Sequence, residues 1–339
     1  MRLSGNSVGD PGSTIYCRPR KGPLRPGISR CAGRFSRQAM TSAFPTPFIR
    51  RLTARRSGQH VAVWILLGSL MAQAGCVAPP PLVQGQDASA APWQQVAAGL
   101  FYSSFSPWSE SRVHVLSLDL RQAGLRLELS APQARGLAMD QRPQATLAVA
   151  SFNASFFDRG FVPRGITVSQ GDVWAPVLAA EASPSMACDR LQRCRITFTN
   201  TATPPSDAVN VVAGTPWLVR AGQPRTDLDD ASCPALCART HPRTAIGLAG
   251  QGRWLLVVLA EGRRPPLAGI SLVQLSLLMR DLGAEDAINL DGGGSSTLWL
   301  QGRAVMARPA NEPAERALAN AIHIVRHDNG AAGAETARP

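Results

Sequence analysis

Residues 287–297 read Ala-Ile-Asn-Leu-Asp-Gly-Gly-Gly-Ser-Ser-Thr, an apolar run that meets an acid, three glycines and a pair of serines. Adjacent glycines are entropically costly, and a fold uses them where the backbone must turn tightly or approach a ligand closely. In such a turn the N–H groups of Gly292, Gly293 and Gly294 can face an anion, with the hydroxyls of Ser295 and Ser296 as further donors. The alternative is a hairpin turn that is merely rich in glycine. Asp291 at the strand end and the paired serines favour a site.

The elements that would hold this turn are legible upstream. Ser271 and Gln274 form a capping box, which ties two otherwise unpaired N–H groups at a helix start. Leu272, Leu275, Leu278 and Met279 recur at helical spacing, and Gly283 follows as a stop. The chain then passes Asp286 into the strand Ala287–Leu290, so helix, strand and glycine turn form one unit that fixes Asp291. Elsewhere the texture is of short strands. Residues 113–120 and 125–129 read as a hairpin broken at Ala123-Gly124, and Thr146–Phe152 reads as a buried strand. Segments 166–168 and 173–174 flank the turn Gln170-Gly171-Asp172. Residues 195–199, 209–212, 217–219, 245–248 and 254–259 continue the pattern. Mostly strands with few helices predicts an α+β fold, twisted mixed sheets in a single catalytic domain over 94–326.

The charge is unevenly placed. Residues 1–75 carry 12 Lys and Arg against one acid, Asp10, whereas the rest of the chain has 23 Arg and 22 acids. The basic balance therefore belongs to the leader, and nucleic-acid binding by the folded part is not expected. Arg50, Arg51, Arg55 and Arg56 precede the apolar run Val61–Ala72, which is short for a bilayer span but suits a signal peptide. Met40 is an alternative start to the long Pro/Gly-rich 1–39. Ala74 and Gly75 before Cys76 are similar to a bacterial lipoprotein cleavage site with Cys76 lipidated, although Gln73 stands where an aliphatic residue is usual. An exported protein, periplasmic or anchored in the envelope of a bacterium, is expected. A linker covers 76–93 and a disordered tail 327–339. Cys188, Cys194, Cys233 and Cys237 form two close pairs, which fits two local disulfides in an oxidising compartment. A zinc site is the rival, and its usual spacings fit less well.

Four pieces of the chain, in order, resemble the phosphodiester glycosidase family over about 146–325. The first is Asn153-Ala154-Ser155-Phe156-Phe157 with Pro163 and Gly165, and the second is Gly214-Thr215-Pro216-Trp217-Leu218-Val219-Arg220. Pro242-Arg243-Thr244-Ala245-Ile246-Gly247 follows, leading to Glu261-Gly262-Arg263. The last and most specific runs from Leu282-Gly283-Ala284 through Asn289-Leu290-Asp291-Gly292-Gly293-Gly294-Ser295-Ser296 to Ala319-Asn320-Ala321. Ala154 and Ser155 depart from the glycine usual after the asparagine. The resemblance implies cleavage of a sugar–phosphate glycosidic linkage in an envelope or extracellular glycan such as an exopolysaccharide, releasing a sugar and a phosphomonoester.

Such a reaction needs a carboxylate that stabilises an oxocarbenium-like centre, attacks it, or activates water. It also needs cations or N–H donors for the phosphate, which leaves already anionic. Asp291 and Glu261 are the acids at motif positions, Arg243 and Arg263 the phosphate clamp, and Asn153 a further substrate ligand. Each has a structural alternative. Arg243 could pair with a surface acid, Arg263 could be a solvated loop charge, and Glu261 could be structural. Asn153 could be a hydrogen-bonded core amide. Asp158 and Asp172 read as turn residues, and His241 as a structural ring. No cofactor is implied, although a single Ca²⁺ or Mg²⁺ held by Asp291 and carbonyls stays compatible. The rival classes are a metal-dependent phosphodiesterase and a non-catalytic glycan-binding envelope lipoprotein. His114, His241, His323 and His327 make no metal-ligand spacing that favours the former.

Overall fold

Three strands of seven residues each, Val113–Asp119, Arg243–Ala249 and Trp254–Ala260, are buried along their whole length. A strand presents alternate side chains to opposite faces, so both faces of the sheet they form must be covered. In the computed structural model, which describes residues 92–174, 183–198, 203–228 and 236–327, they lie centrally in an eight-stranded sheet. Its order is Gln94–Ala97, Leu100–Phe105, Val113–Asp119, Trp254–Ala260, Arg243–Ala249, Asp286–Asn289, Trp217–Arg220 and Gln223–Pro224. Val115, Ala245, Leu256 and Val258 pack on one face with Leu272, Leu275, Leu278 and Met279 of the helix Leu272–Asp281.

Leu116, Leu118, Ile246 and Val257 point the other way, against Leu127, Leu129, Phe152, Ile322 and Ile324 of a second sheet and Met186 and Val212 of a third. The second sheet runs Arg303–Ala304, Leu298–Leu300, Ala150–Asn153, Ala321–Arg326, Leu125–Leu129. The third runs Asp172–Val173, Thr167–Ser169, Ala208–Ala213, Ser185–Asp189, Cys194–Thr197. The described residues belong to one compact unit, and the fold is α+β as expected. The expected mixed sheets narrow to antiparallel ones, because among the described residues every strand pairing is antiparallel. No helix among the described residues is long and apolar enough to cross a membrane.

The helix matches its sequence signals closely. The Ser271 hydroxyl accepts from the Gln274 N–H at 3.1 Å, and Gln274 Oε1 accepts from the Ser271 N–H at 2.8 Å. Two strand expectations fail. Val113–Asp119 and Leu125–Leu129 are not a hairpin, because both edges of the first are taken by Leu100–Phe105 and Trp254–Ala260. Leu125–Leu129 pairs instead with Ala321–Arg326 in the second sheet. The expected strand Thr146–Phe152 begins as a helical turn, Pro143–Leu147, and becomes a strand only at Ala150–Asn153. Pro143 sits at the first helical position, where its missing N–H costs nothing.

Cys188 and Cys194 face each other on adjacent strands and are disulfide-bonded. Cys237 is also disulfide-bonded. Cys233, Cys76, the leader and residues 328–339 lie outside the described residues.

Candidate active site

Past the strand Asp286–Asn289 the chain leaves the large sheet and crosses to the second. The Leu290 N–H donates to the Thr244 carbonyl at 2.8 Å, and the next N–H, that of Asp291, donates to the Ala154 carbonyl at 3.0 Å. Asp291 thus sits on the seam between two sheets. Asn153 locks it there. Its Nδ2 donates to the Asp291 carbonyl at 2.6 Å, while its Oδ1 accepts from the Thr244 hydroxyl at 2.9 Å and the Thr297 N–H at 3.3 Å. With 1% of its surface exposed, Asn153 offsets its burial through these bonds. Its observed partners are protein groups. Asn289 Nδ2 donates to the Thr215 carbonyl at 2.8 Å, which ties in the Gly214–Arg220 segment. Asn320 Oδ1 accepts from the Ser155 N–H at 2.9 Å, which braces the segment after Asn153.

The Asp291 side chain is half-buried. Burial raises its pKa to about 6, against the opposing pull of the Ser295 hydroxyl, the Gly292 N–H and the Arg316 charge. The Gly292 N–H donates to Asp291 Oδ1 at 2.9 Å, and the Gly293 N–H donates to the Pro242 carbonyl at 2.9 Å. Two of the three expected anion-facing N–H groups are therefore engaged within the protein. Only the Gly294 N–H makes no hydrogen bond among the described residues. Gly293 has φ +62, the left-handed conformation that glycine adopts without penalty. Ser295 Oγ is fully buried and lies close enough to the Asp291 carboxylate to favour its ionised form, yet no well-formed hydrogen bond engages it. Ser296 Oγ accepts only a long 3.4 Å contact from Thr244.

Arg243 and Arg263 differ. Arg243 is buried, and its guanidinium donates to three backbone carbonyls: Nε to Ile270 at 3.2 Å, Nη2 to Arg239 at 2.9 Å, and Nη2 to Leu236. Burial first, and the Arg263 charge second, lower its pKa to about 9. Arg243 acts here as a fastener for the segment around 236–239. Arg263 lies on the rim, in left-handed backbone at φ +52, a conformation uncommon outside glycine. Its guanidinium stands beside Gly293, and Nη2 meets His241 Nδ1 at 3.3 Å.

Glu261 is 5% exposed and sits on the far side of the strand Arg243–Ala249 from Asp291. Ala260 pairs with Arg243 on one edge, and Asn289 pairs with Ala245 on the other. Ordinary strand spacing thus puts the two acids' backbones about 10 Å apart. Glu261 Oε1 meets His114 Nε2 at 2.8 Å and accepts from the Ala307 N–H at 3.1 Å, and His114 Nδ1 meets the Tyr102 hydroxyl at 2.8 Å. Burial would raise the Glu261 carboxyl, but the His114 bond, the Ala307 N–H and the charges of His114 and Arg112 leave it below its ordinary value.

Three residues at the site were not anticipated as such. Thr244 stood in a quoted motif without a role. Glu312 and Arg316, an ion pair four residues apart, cover Gly294. Their segment follows neither a strand nor a helix period, and the pair spacing was its one signal. Among the described residues no group of three or more His, Cys, Asp or Glu side chains is gathered that could hold a metal ion.

The site is thus an acid, a glycine turn and two rim arginines at the seam between sheets of an antiparallel α+β domain, and comparison with known proteins supplies the family. Residues 146–325 match the phosphodiester glycosidase family. The chain belongs to that family. The catalytic domain of zebrafish N-acetylglucosamine-1-phosphodiester alpha-N-acetylglucosaminidase, auto-inhibited by its pro-peptide, has a similar fold at TM-score 0.55 and 16% identity, covering 73% of this chain and 87% of that one. A hypothetical protein from Synechocystis is similar at TM-score 0.56 and 18% identity, covering 70% of this chain and 64% of that one. The SPbeta prophage-derived uncharacterized protein YomE of Bacillus subtilis is 31% identical over 113 residues, which is 33% of this chain and 17% of that relative.

Proposed function

We propose that this protein hydrolyses the glycosidic bond of a sugar-1-phosphodiester, with Asp291 as the reacting carboxylate. The observation that carries the reading is the Asp291 carboxyl, raised to about 6 by burial, held on one oxygen by the Gly292 N–H and pinned through its backbone to both sheets. A preorganised acid of this kind can stabilise positive charge at the sugar C1, attack it, or take a proton from the attacking water. The C1–O bond breaks, water supplies the new sugar hydroxyl, and the phosphomonoester leaves as an anion without a strong acid. Arg263 is the rim cation for that phosphate, and Asn153 is the group that keeps Asp291 in place. Glu261, on the far side of the strand Arg243–Ala249 from Asp291, braces the rim.

The reading includes a leader over 1–75, a linker over 76–93, a catalytic domain over 94–326 and a tail beyond it. It also includes export to a bacterial envelope, with lipidation at Cys76 and a phosphorylated glycan as substrate. These rest on the leader's charge and apolar run, the small residues before Cys76 and the family. Mass spectrometry of the mature N-terminus checks the anchor.

The test of the function compares wild type and Asp291→Asn on a synthetic sugar-1-phosphodiester and on a neutral glycoside, with and without chelator. The expected result is turnover of the phosphodiester by the wild type alone, unaffected by chelator. Binding without turnover by the wild type would favour a glycan-binding module, and turnover abolished by chelator a metal-dependent phosphodiesterase.

A further inference from the structure

We propose that Gly294 floors an anion site whose cations are Arg316 and Arg263, and that the Glu312 carboxylate fills it when no substrate is bound. The ligand it takes is the phosphate of a sugar phosphodiester, so the identity of the ligand rests on the reading above.

Four observations converge on this spot. A Cβ placed on Gly294 would collide with Glu312 Oε1 and with the Arg316 guanidinium, so both charged groups lie directly on the glycine backbone. On the neighbouring residue, a Cβ on Gly293 would come within 3.2 Å of Arg263 Nη1. Two cations therefore border adjacent residues of one turn, with the Glu312 carboxylate beside Arg316 on Gly294 and the Asp291 carboxyl within reach of the Arg316 charge. Electrostatics agree: the Arg316 charge lowers the Arg263 pKa, and the Glu312 charge opposes that effect, both smaller than the lowering by burial. Finally, two donors at this spot are left over. The Gly294 N–H makes no hydrogen bond among the described residues, and buried Ser295 Oγ makes none of good geometry, although it lies near the Asp291 carboxylate. A buried donor without a partner is destabilising, and a bound oxyanion would supply the missing acceptor.

The carboxylate's place is built. The Glu312 N–H donates to the Pro309 carbonyl at 3.0 Å, and the Ala310 N–H donates to the Arg263 carbonyl at 3.0 Å. Glu261 accepts from the Ala307 N–H in the same segment. The backbone around Glu312 is thus stitched to the loop that carries Arg263. Only the Glu312 side chain must swing away for a phosphate to enter. Its ion pair with Arg316 is open to solvent on the arginine side, 43% exposed, and covered on the carboxylate side, 13% exposed. A phosphate oxygen pair can meet the Arg316 fork in two parallel bonds, whereas the Glu312 carboxylate meets it through Nη2 alone.

The experiment titrates the exported, disulfide-bonded protein with inorganic phosphate by calorimetry, with thermal melts as the folding control. Glu312→Gln is expected to tighten phosphate binding about threefold to tenfold, because a competing anion is gone. Arg316→Ala should weaken it about tenfold or more, and Arg316→Lys by less. Arg195→Ala, which removes a surface pair with Asp207, should leave it unchanged. Unchanged or weaker binding in Glu312→Gln would make Glu312 a brace for Arg316 and overturn the surrogate role. Unchanged binding in Arg316→Ala would overturn the site. If the wild type binds phosphate in the expected order but turns over no sugar phosphodiester, the site stands and the glycosidase reading fails. If it hydrolyses the phosphodiester while phosphate affinity ignores both variants, the reverse holds.

Discussion

The floor of the seam and its rim use the same residue types for opposite ends. On the floor, Arg243 donates to the carbonyls of Ile270, Leu236 and Arg239, and Asn153 has both ends of its amide engaged. On the rim, Arg263 stands beside the glycine turn and His241, and Arg316 is paired with Glu312. Both sets of residues crowd the same glycine turn. The difference lies in what their donors already touch. A guanidinium committed to backbone carbonyls is part of the scaffold, because freeing it would strand those carbonyls without partners. A guanidinium with unfilled donors at the surface can exchange one anion for another at little cost.

The sharpest way to break this comparison is at Asp291, which belongs to the floor through its backbone and to the rim through its side chain. Asp291→Asn is expected to lower kcat on the sugar phosphodiester by on the order of a thousandfold or more. It should also stabilise the fold. The folded-state carboxyl is pushed above its ordinary value, so its favourable contribution is full below the ordinary aspartate range and is lost as pH rises through about 6. Removing that penalty should raise stability above this range by on the order of 1–2 kcal/mol, after allowing for partial solvent screening. For the wild type, activity should rise with pH through about 6 and then level, since the reacting form is the carboxylate. A pH–rate profile that falls through the same range would make Asp291 an acid.

Next in size is the floor arginine. Arg243→Ala should cost about 3 kcal/mol of unfolding free energy, read by denaturant melts, because it strands three carbonyls and leaves a cavity. Were stability unchanged and KM raised, Arg243 would belong to the rim. Arg263→Ala should do the converse: KM for the phosphodiester rises about tenfold while the melt barely moves. The smallest effect is expected at Glu261. Glu261→Gln keeps an acceptor for the Ala307 N–H but loses the charge opposite His114, at a cost of about 1 kcal/mol. Because the Glu261 carboxyl is held below its ordinary value, that difference is full above the ordinary glutamate range and shrinks as pH falls through the lower folded value. A collapse in kcat instead would move Glu261 from brace to catalyst.

Much of the site was legible because its signals are local. The Ser271–Gln274 capping box, the helix period and the acid–glycine turn each lie within a few neighbouring positions, and the structure realises all of them. The glycine turn proved a close-approach device, as its composition suggests, but with only one N–H left open. Asn153, expected as a substrate ligand with a hydrogen-bonded core amide as the alternative, has protein groups on both ends of its amide. What it bonds to was another matter, since its partner at Asp291 is 138 residues away in sequence.

The sequence by itself determined that this is an α+β chain of short strands, that its excess positive charge lies in residues 1–75, and that an aspartate meets a glycine turn at a strand end. Periodicity, capping and composition act over a few residues, and they need no knowledge of the fold. Only the tertiary structure decided which partner each strand took, so that residues 113–119 and 125–129 joined different sheets. It alone also sorted Arg243 to the floor and Arg263 to the rim, and brought Glu312 and Arg316 over Gly294. An arginine's role depends on whether carbonyls or solvent surround its guanidinium, and that is settled by packing between segments far apart in the chain.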